Sequence, residues 1–177
     1  ALMADSLNNF AYLRRTQGDS REAELLFRES LEIIPLLNDA DRTVVATTRS
    51  TLASTIADQG RFNEALETAA LAVDEYRQRG ETDTPSYGFA LNVLGGFLTE
   101  SGKLDEADAT LIEAGTIFSK YLSPTNLWIG DNLRNQAISL ELQGKYDLSI
   151  EKADAAASMY LENFGKHYDN YPTVLIA

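Results

Sequence analysis

The chain has no cysteine, which removes a disulfide framework, a thiolate nucleophile and a thiolate metal site. That usage fits a reducing compartment. It has a single histidine, His167, and no other ligand is spaced to join it, so neither metal nor cofactor is expected. Basic residues are few, 15 against 27 acids, and the net charge is −12. Such a surface repels phosphate backbones and anionic headgroups, which argues against nucleic acid or a membrane surface as partner. No run approaches the roughly eighteen apolar residues of a membrane span, and no basic-then-apolar leader opens the sequence. A soluble, cytoplasmic protein is expected. With only four prolines and 44% hydrophobic residues, no stretch has the composition of a disordered segment.

What is present is a repeat. Gln17-Gly18-Asp19-Ser20-Arg21-Glu22-Ala23 returns as Gln59-Gly60-Arg61-Phe62-Asn63-Glu64-Ala65, then as Ser101-Gly102-Lys103-Leu104-Asp105-Glu106-Ala107. Gln143-Gly144-Lys145-Tyr146-Asp147-Leu148-Ser149 is the fourth and most degraded copy. The glycines recur every 42 residues, each between two segments with helical apolar spacing, so each copy reads as the turn of a helical hairpin. Glycine frees the backbone where helix A stops. Asn63, Asp105 and Asp147 are expected to N-cap helix B.

Two columns of small residues flank the turn: Ala11, Ala53, Gly95 and Ala137 before it, and Ala23, Ala65, Ala107 and Ser149 after it. Small residues at both places let antiparallel helices approach closely, with larger neighbours such as Phe27, Tyr76, Leu111, Phe118 and Tyr160 filling each layer. Phe10, Phe62, Tyr146 and Ile150 are assigned to the same core. The expected repeats span 1–37, 42–80, 85–121 and 126–164. The stretch 171–177 reads as the start of a fifth, and Asn38 to Arg42 as a polar link. Since the sequence opens inside one helix A and closes inside another, it reads as a piece of a longer array. End-to-end association is expected through terminal apolar groups such as Leu25, Val174 and Ile176.

The small columns, the turn glycine, the aromatic or leucine two residues later and the following Glu-Ala resemble the tetratricopeptide repeat. The period and Asp5-Ser6-Leu7-Asn8-Asn9-Phe10-Ala11 look like its kinesin-light-chain-type variety, common in bacterial proteins. Thr84-Pro85-Ser86-Tyr87-Gly88 and Tyr171-Pro172-Thr173-Val174 are similar to that variety's opening of helix A. The resemblance implies an all-α, right-handed superhelical α-solenoid of antiparallel helix pairs. It also implies a non-enzymatic scaffold for protein–protein contacts through the concave face lined by A helices. A second reading makes the array the ligand- or peptide-sensing segment of a bacterial signalling protein such as a serine/threonine kinase. The family's clamp for acidic chaperone tails is not matched, because the corresponding positions hold Asn8, Tyr12, Thr51, Phe89 and Val93.

The inner face of the A helices supplies the candidate site. Asn8, Asn9, Asn92 and Asn135 recur there although asparagine is a poor helix former, and an amide can both donate to and accept from a peptide bond. Around them lie Asp5, Tyr12 and Arg15, then Ser50, Ser54 and Asp58. Phe89, Val93 and Glu100 follow in the third repeat, and Asp131, Arg134, Ile138 and Glu141 in the fourth. The expected ligand is a neutral-to-basic extended segment with an apolar anchor near Phe89 and Ile138. Trp128 is assigned to packing between the third and fourth repeats. Arg49 is expected to lay its stem along the core edge with its guanidinium in water, and Gln136 departs from the apolar column of Phe10, Leu52 and Leu94. Gly96 to Lys103 has the wrong spacing for a phosphate loop.

Overall fold

The computed structural model describes residues 2–33 and 43–165. Helices account for 84% of them, with no strand among the described residues. Eight helices follow one another: α1 (Leu2–Thr16), α2 (Ser20–Ile33), α3 (Thr43–Ala57), α4 (Phe62–Gln78), α5 (Pro85–Glu100), α6 (Leu104–Tyr121), α7 (Leu127–Leu142) and α8 (Tyr146–Phe164). Odd helices are the A helices and even ones the B helices. Cα packing divides the chain into two units, Ala1–Thr82 with α1 to α4 and Asp83–Ala177 with α5 to α8. The polar link at 38–42, the end of the first helix B with Ile34, Pro35 and Leu37, His167 and the 171–177 stretch lie outside the described residues, as do Val174 and Ile176.

Each hairpin turn is set by its glycine. Gly18, Gly60, Gly102 and Gly144 all have φ between +75° and +85°, where a side chain would be strained. At Gly102 the N–H bonds to Thr99 O at 3.0 Å, and the next N–H, from Lys103, reaches back to Leu98 O at 2.9 Å. This pair is a Schellman motif. Lys103 O then accepts from Ala107 N, so one residue both closes helix A and opens helix B. The turn therefore has no room for a cap two residues later. Arg61, Lys103 and Lys145 hold the N-cap positions, and none of their side chains makes a capping hydrogen bond. Asn63, Asp105 and Asp147, expected as caps, instead sit in the first turn, where the two carboxylates complement the helix dipole. Side-chain caps do occur at Asp19, whose carboxylate accepts from Glu22 N, and at Thr84 and Asn126 before two A helices.

The small columns form the closest approaches. Ala11, Ala23, Ala53, Ala65 and Ala107 are fully buried, and a Cβ added to Gly95 would lie 2.6 Å from Leu111 Cδ2. Gly88 likewise admits the Phe118 ring, 2.8 Å from where its Cβ would be. Tyr76, Leu111 and Phe118 complete the layers as expected. Four residues assigned to the core are exposed instead: Phe10, Phe62, Tyr146 and Ile150. Phe62 and Tyr146 are the first residues of their helices, at the open end of the turn, and Phe10 lies under the Arg14 guanidinium at 4.7 Å. Ile150 on α8 is more than half exposed. Arg49 also differs from expectation, since it pairs with Glu75 of α4 while only a quarter exposed.

Candidate functional site

The asparagines prove to have structural work. Asn8 on α1 donates from Nδ2 to Thr48 Oγ1 on α3 at 2.8 Å. Asn92 on α5 accepts at Oδ1 from Asn132 Nδ2 on α7 at 3.1 Å. Residues 8 and 92, like 48 and 132, are separated by twice the 42-residue period, so one clasp between consecutive A helices is built once in each unit. In the second unit it widens into a network. Asn132, 2% exposed, also donates to Leu111 O at 3.0 Å and accepts from Gln136 Nε2 at 2.7 Å. Asn135 Nδ2 adds a longer bond to Asn92 Oδ1 at 3.3 Å. In the first unit Asn8 Oδ1 is buried without a donor among the described residues.

A second clasp joins helix B to the following hairpin turn with the same double period. Glu24, 8% exposed, accepts from Gln59 Nε2 at 2.7 Å and from Arg61 at 2.6 Å. Asp108 accepts from Gln143 Nε2 at 2.8 Å and from the buried Ser139 hydroxyl at 2.6 Å, with Lys145 Nζ 4.0 Å away. The second and fourth repeats hold Leu66 and Ile150 in this column. Burial alone would raise the Glu24 carboxyl, but hydrogen bonds from Arg28, Gln59 and Arg61 together outweigh it and hold the group below its ordinary value. A lowered folded-state value gives stability that is present above the unfolded range near pH ~4.3 and lost as pH falls through the lower folded value. Urea unfolding should therefore show parent and Glu24→Gln converging in midpoint as pH falls from 7 to 3. A gap constant with pH would contradict this account of Glu24.

Each expected site residue has a definite place. Asn9 and Tyr12 are exposed on α1, and Ser54 is half-buried with its hydroxyl turned back to Ser50 O. Arg15 and Asp58, expected as separate groove charges, bind each other at 2.6 Å. Ser50 needs correcting: it is fully buried and donates to Ala46 O, so it offers nothing to a ligand. In the second unit Phe89, Asn92, Val93 and Gly96 follow i, i+3, i+4, i+7 along α5, one face of a helix. Trp128, Asp131, Asn135 and Ile138 form the matching stripe on α7. Phe89 and Trp128 stack with ring centroids 5.2 Å apart, and Trp128 also reaches the buried Phe118 at 5.9 Å. The packing role expected for Trp128 is thus present, and its half-exposed edge joins Phe89 on the face. Asp131 accepts from Tyr160 OH at 2.6 Å, whereas Arg134 has no ion pair among the described residues. Glu100, at the end of α5, has its carboxyl pushed up by desolvation.

After the clasps form, Asn92 and Asn135 each keep one unused amide atom. Asn92 Nδ2 donates to no described residue, and Asn135 Oδ1 accepts from none. Both asparagines were legible in the sequence, whereas the network of Asn132 and Gln136 around Asn92, and the separate clasp acids Glu24 and Asp108, were not. The alternation of Glu24 and Asp108 with Leu66 and Ile150 was the available signal. Among the described residues no group of three or more His, Asp or Glu could hold a metal ion, and no described helix is long and apolar enough to cross a membrane.

Residues 3–34 match the tetratricopeptide repeat family. No curated protein matches the chain. Among solved structures the chain resembles BtubC (BKLC) from P. vanneervenii at 21% identity, with a TM-score of 0.79 over 97% of this chain and 68% of that one. It also resembles the nearly identical TPR-like repeats of a putative kinesin light chain from Podosopora anserina, at 16% identity and TM-score 0.72, covering 96% of this chain and 81% of that one. The Q17M form of those repeats gives 16% identity, TM-score 0.73 and coverage of 96% and 80%. The first hairpin thus matches the tetratricopeptide repeat by sequence, and the helix pairs have the fold of the tetratricopeptide-like repeats in these solved structures.

Proposed function

We propose that this chain is a protein-binding scaffold and that an extended segment of a partner lies along the A helices, with its firmest contacts on α5 and α7. Tetratricopeptide arrays generally serve protein–protein contacts, which supports the class. The observation carrying the finer reading is the unused pair Asn92 Nδ2 and Asn135 Oδ1 beside the Phe89–Trp128 stack. One free donor and one free acceptor suit the C=O and N–H of a peptide group and ignore its side chain. The aromatic edge and Ile138 provide the apolar anchor. Glu100 and Glu141, which have no ion pair among the described residues, favour a neutral-to-basic segment, while Arg134 limits how basic it is.

The test uses peptides selected from a random library, amidated at their C-terminus, and titrated against parent and Asn135→Ala. Asn135 makes only long bonds to Asn92, so the variant keeps its fold. One lost backbone hydrogen bond should weaken binding by about 1 kcal/mol, roughly fivefold. Equal affinity for the variant, with an unchanged circular dichroism spectrum, would remove Asn135 from the reading.

A further inference from the structure

Between α6, α7 and α8 the second unit holds a cleft of about 300 Å³, lined by Gly115, Thr116, Gln136, Lys152, Ile112 and Leu133 among others. Two departures from the repeat pattern leave it open. Gly115 stands where Leu31 and Val73 occur, and Gln136 where Leu52 and Leu94 occur. In the first unit the equivalent Leu52 is packed to 3% exposure. A Cβ on Gly115 would come 2.7 Å from Asn132 Oδ1, so the glycine is required by the polar floor of the cleft.

The lining has a defined polarity. Lys152 is its one charged group and has no ion-pair partner among the described residues. The Thr116 and Ser119 hydroxyls give their protons to Ile112 O and Thr116 O at 2.9 Å, so only their lone pairs remain to offer. Gln136 uses Nε2 on Asn132 and Leu111 O, which leaves Oε1 as an acceptor. One ammonium beside three acceptor oxygens disfavours phosphate, which needs several donors. It suits a carboxylate whose neighbouring atom carries an N–H, on a body small and aliphatic enough for Ile112 and Leu133. A volume at the low end of ligand pockets holds about one residue.

We propose that this cleft binds the carboxylate end of a small aliphatic residue, either a free amino acid or the last residue of a partner chain. Lys152 pairs with the carboxylate, Gln136 Oε1 accepts the adjacent N–H, and Ile112 with Leu133 covers the side chain. The site uses Leu133 and Gln136 of α7 together with α6 and α8, and it does not depend on the Asn92–Asn135 reading above.

The chain, labelled with nitrogen-15, is titrated by NMR with N-acetyl-leucine, N-acetyl-leucinamide and leucine. N-acetyl-leucine or leucine should shift the Gly115, Thr116, Leu133 and Lys152 amides saturably, with a dissociation constant on the order of millimolar. Loss of the charge in N-acetyl-leucinamide, or of the ammonium in Lys152→Met, should weaken binding at least about tenfold. Ser119→Leu, at an exposed rim position, should block the cleft without disturbing the fold. Tighter binding of leucine identifies a free amino acid as the ligand, and tighter binding of N-acetyl-leucine a chain end. Absence of saturable shifts up to about 50 mM, shifts centred elsewhere, or undiminished binding by Lys152→Met would overturn the proposal.

Discussion

Gly95→Val is expected to destabilise the second unit by about 2–3 kcal/mol, the upper range for overpacking a filled core. Gly95 is buried on α5, and even one added carbon would meet Leu111 Cγ and Cδ2 at 2.6 Å. Leu111 is itself fully buried, so it cannot swing into solvent. The intrinsic helix preference of valine over glycine returns only a few tenths of a kcal/mol. The repeat supplies its own control, because the same two columns are Ala53 and Ala69 in the second repeat, both fully buried. Leu111→Ala should therefore relieve much of the cost when combined with Gly95→Val, a coupling that urea unfolding of both singles and the double resolves. Additive effects would mean that this contact does not set the size of residue 95.

Glu24→Ala should cost about 2 kcal/mol, less than the 3–5 kcal/mol typical of breaking a buried pair. The discount follows from the partners. Arg28 and Arg61 both keep Glu64, and Gln59 keeps Ser20 O and Thr55 O at 3.3 Å, so no donor is stranded. What is lost is the acceptor that ties α2 to the turn between α3 and α4. Arg61→Ala should cost less, since Glu24 retains Arg28 and Gln59. Thermal unfolding of the two variants orders them, and a larger loss for Arg61→Ala would refute this picture of the clasp.

The fold was legible because its causes are local and repeated. Four glycines in the left-handed region and two small columns at one spacing specify turns and close helix contacts directly. The caps were not legible, because Asn63, Asp105 and Asp147 look like caps until Arg61, Lys103 and Lys145 are seen to end one helix and begin the next. The candidate site was half legible. Periodicity put Asn92 and Asn135 on a helix face, but whether an amide faces solvent or a neighbouring repeat depends on a residue about 40 positions away. Asn8 and Asn92 are answered by Thr48 and Asn132, and that relation appears only when the chain is compared at twice its period. Ser50 shows the same limit, since a small polar residue can satisfy itself on its own helix and vanish from the surface.

The central claim is that a partner segment lies on the A-helix face of the second unit, and NMR mapping with the C-terminally amidated peptides tests it most directly. Amidation removes the carboxylate that the α6–α8 cleft requires, so the two sites are read separately. The account predicts that the Asn92 and Asn135 side-chain amide signals move together with the Trp128 indole N–H, and that Asn92 Nδ2 protons become slow to exchange. Peptides that bind while those signals stay still and the α6 and α8 amides move would contradict it.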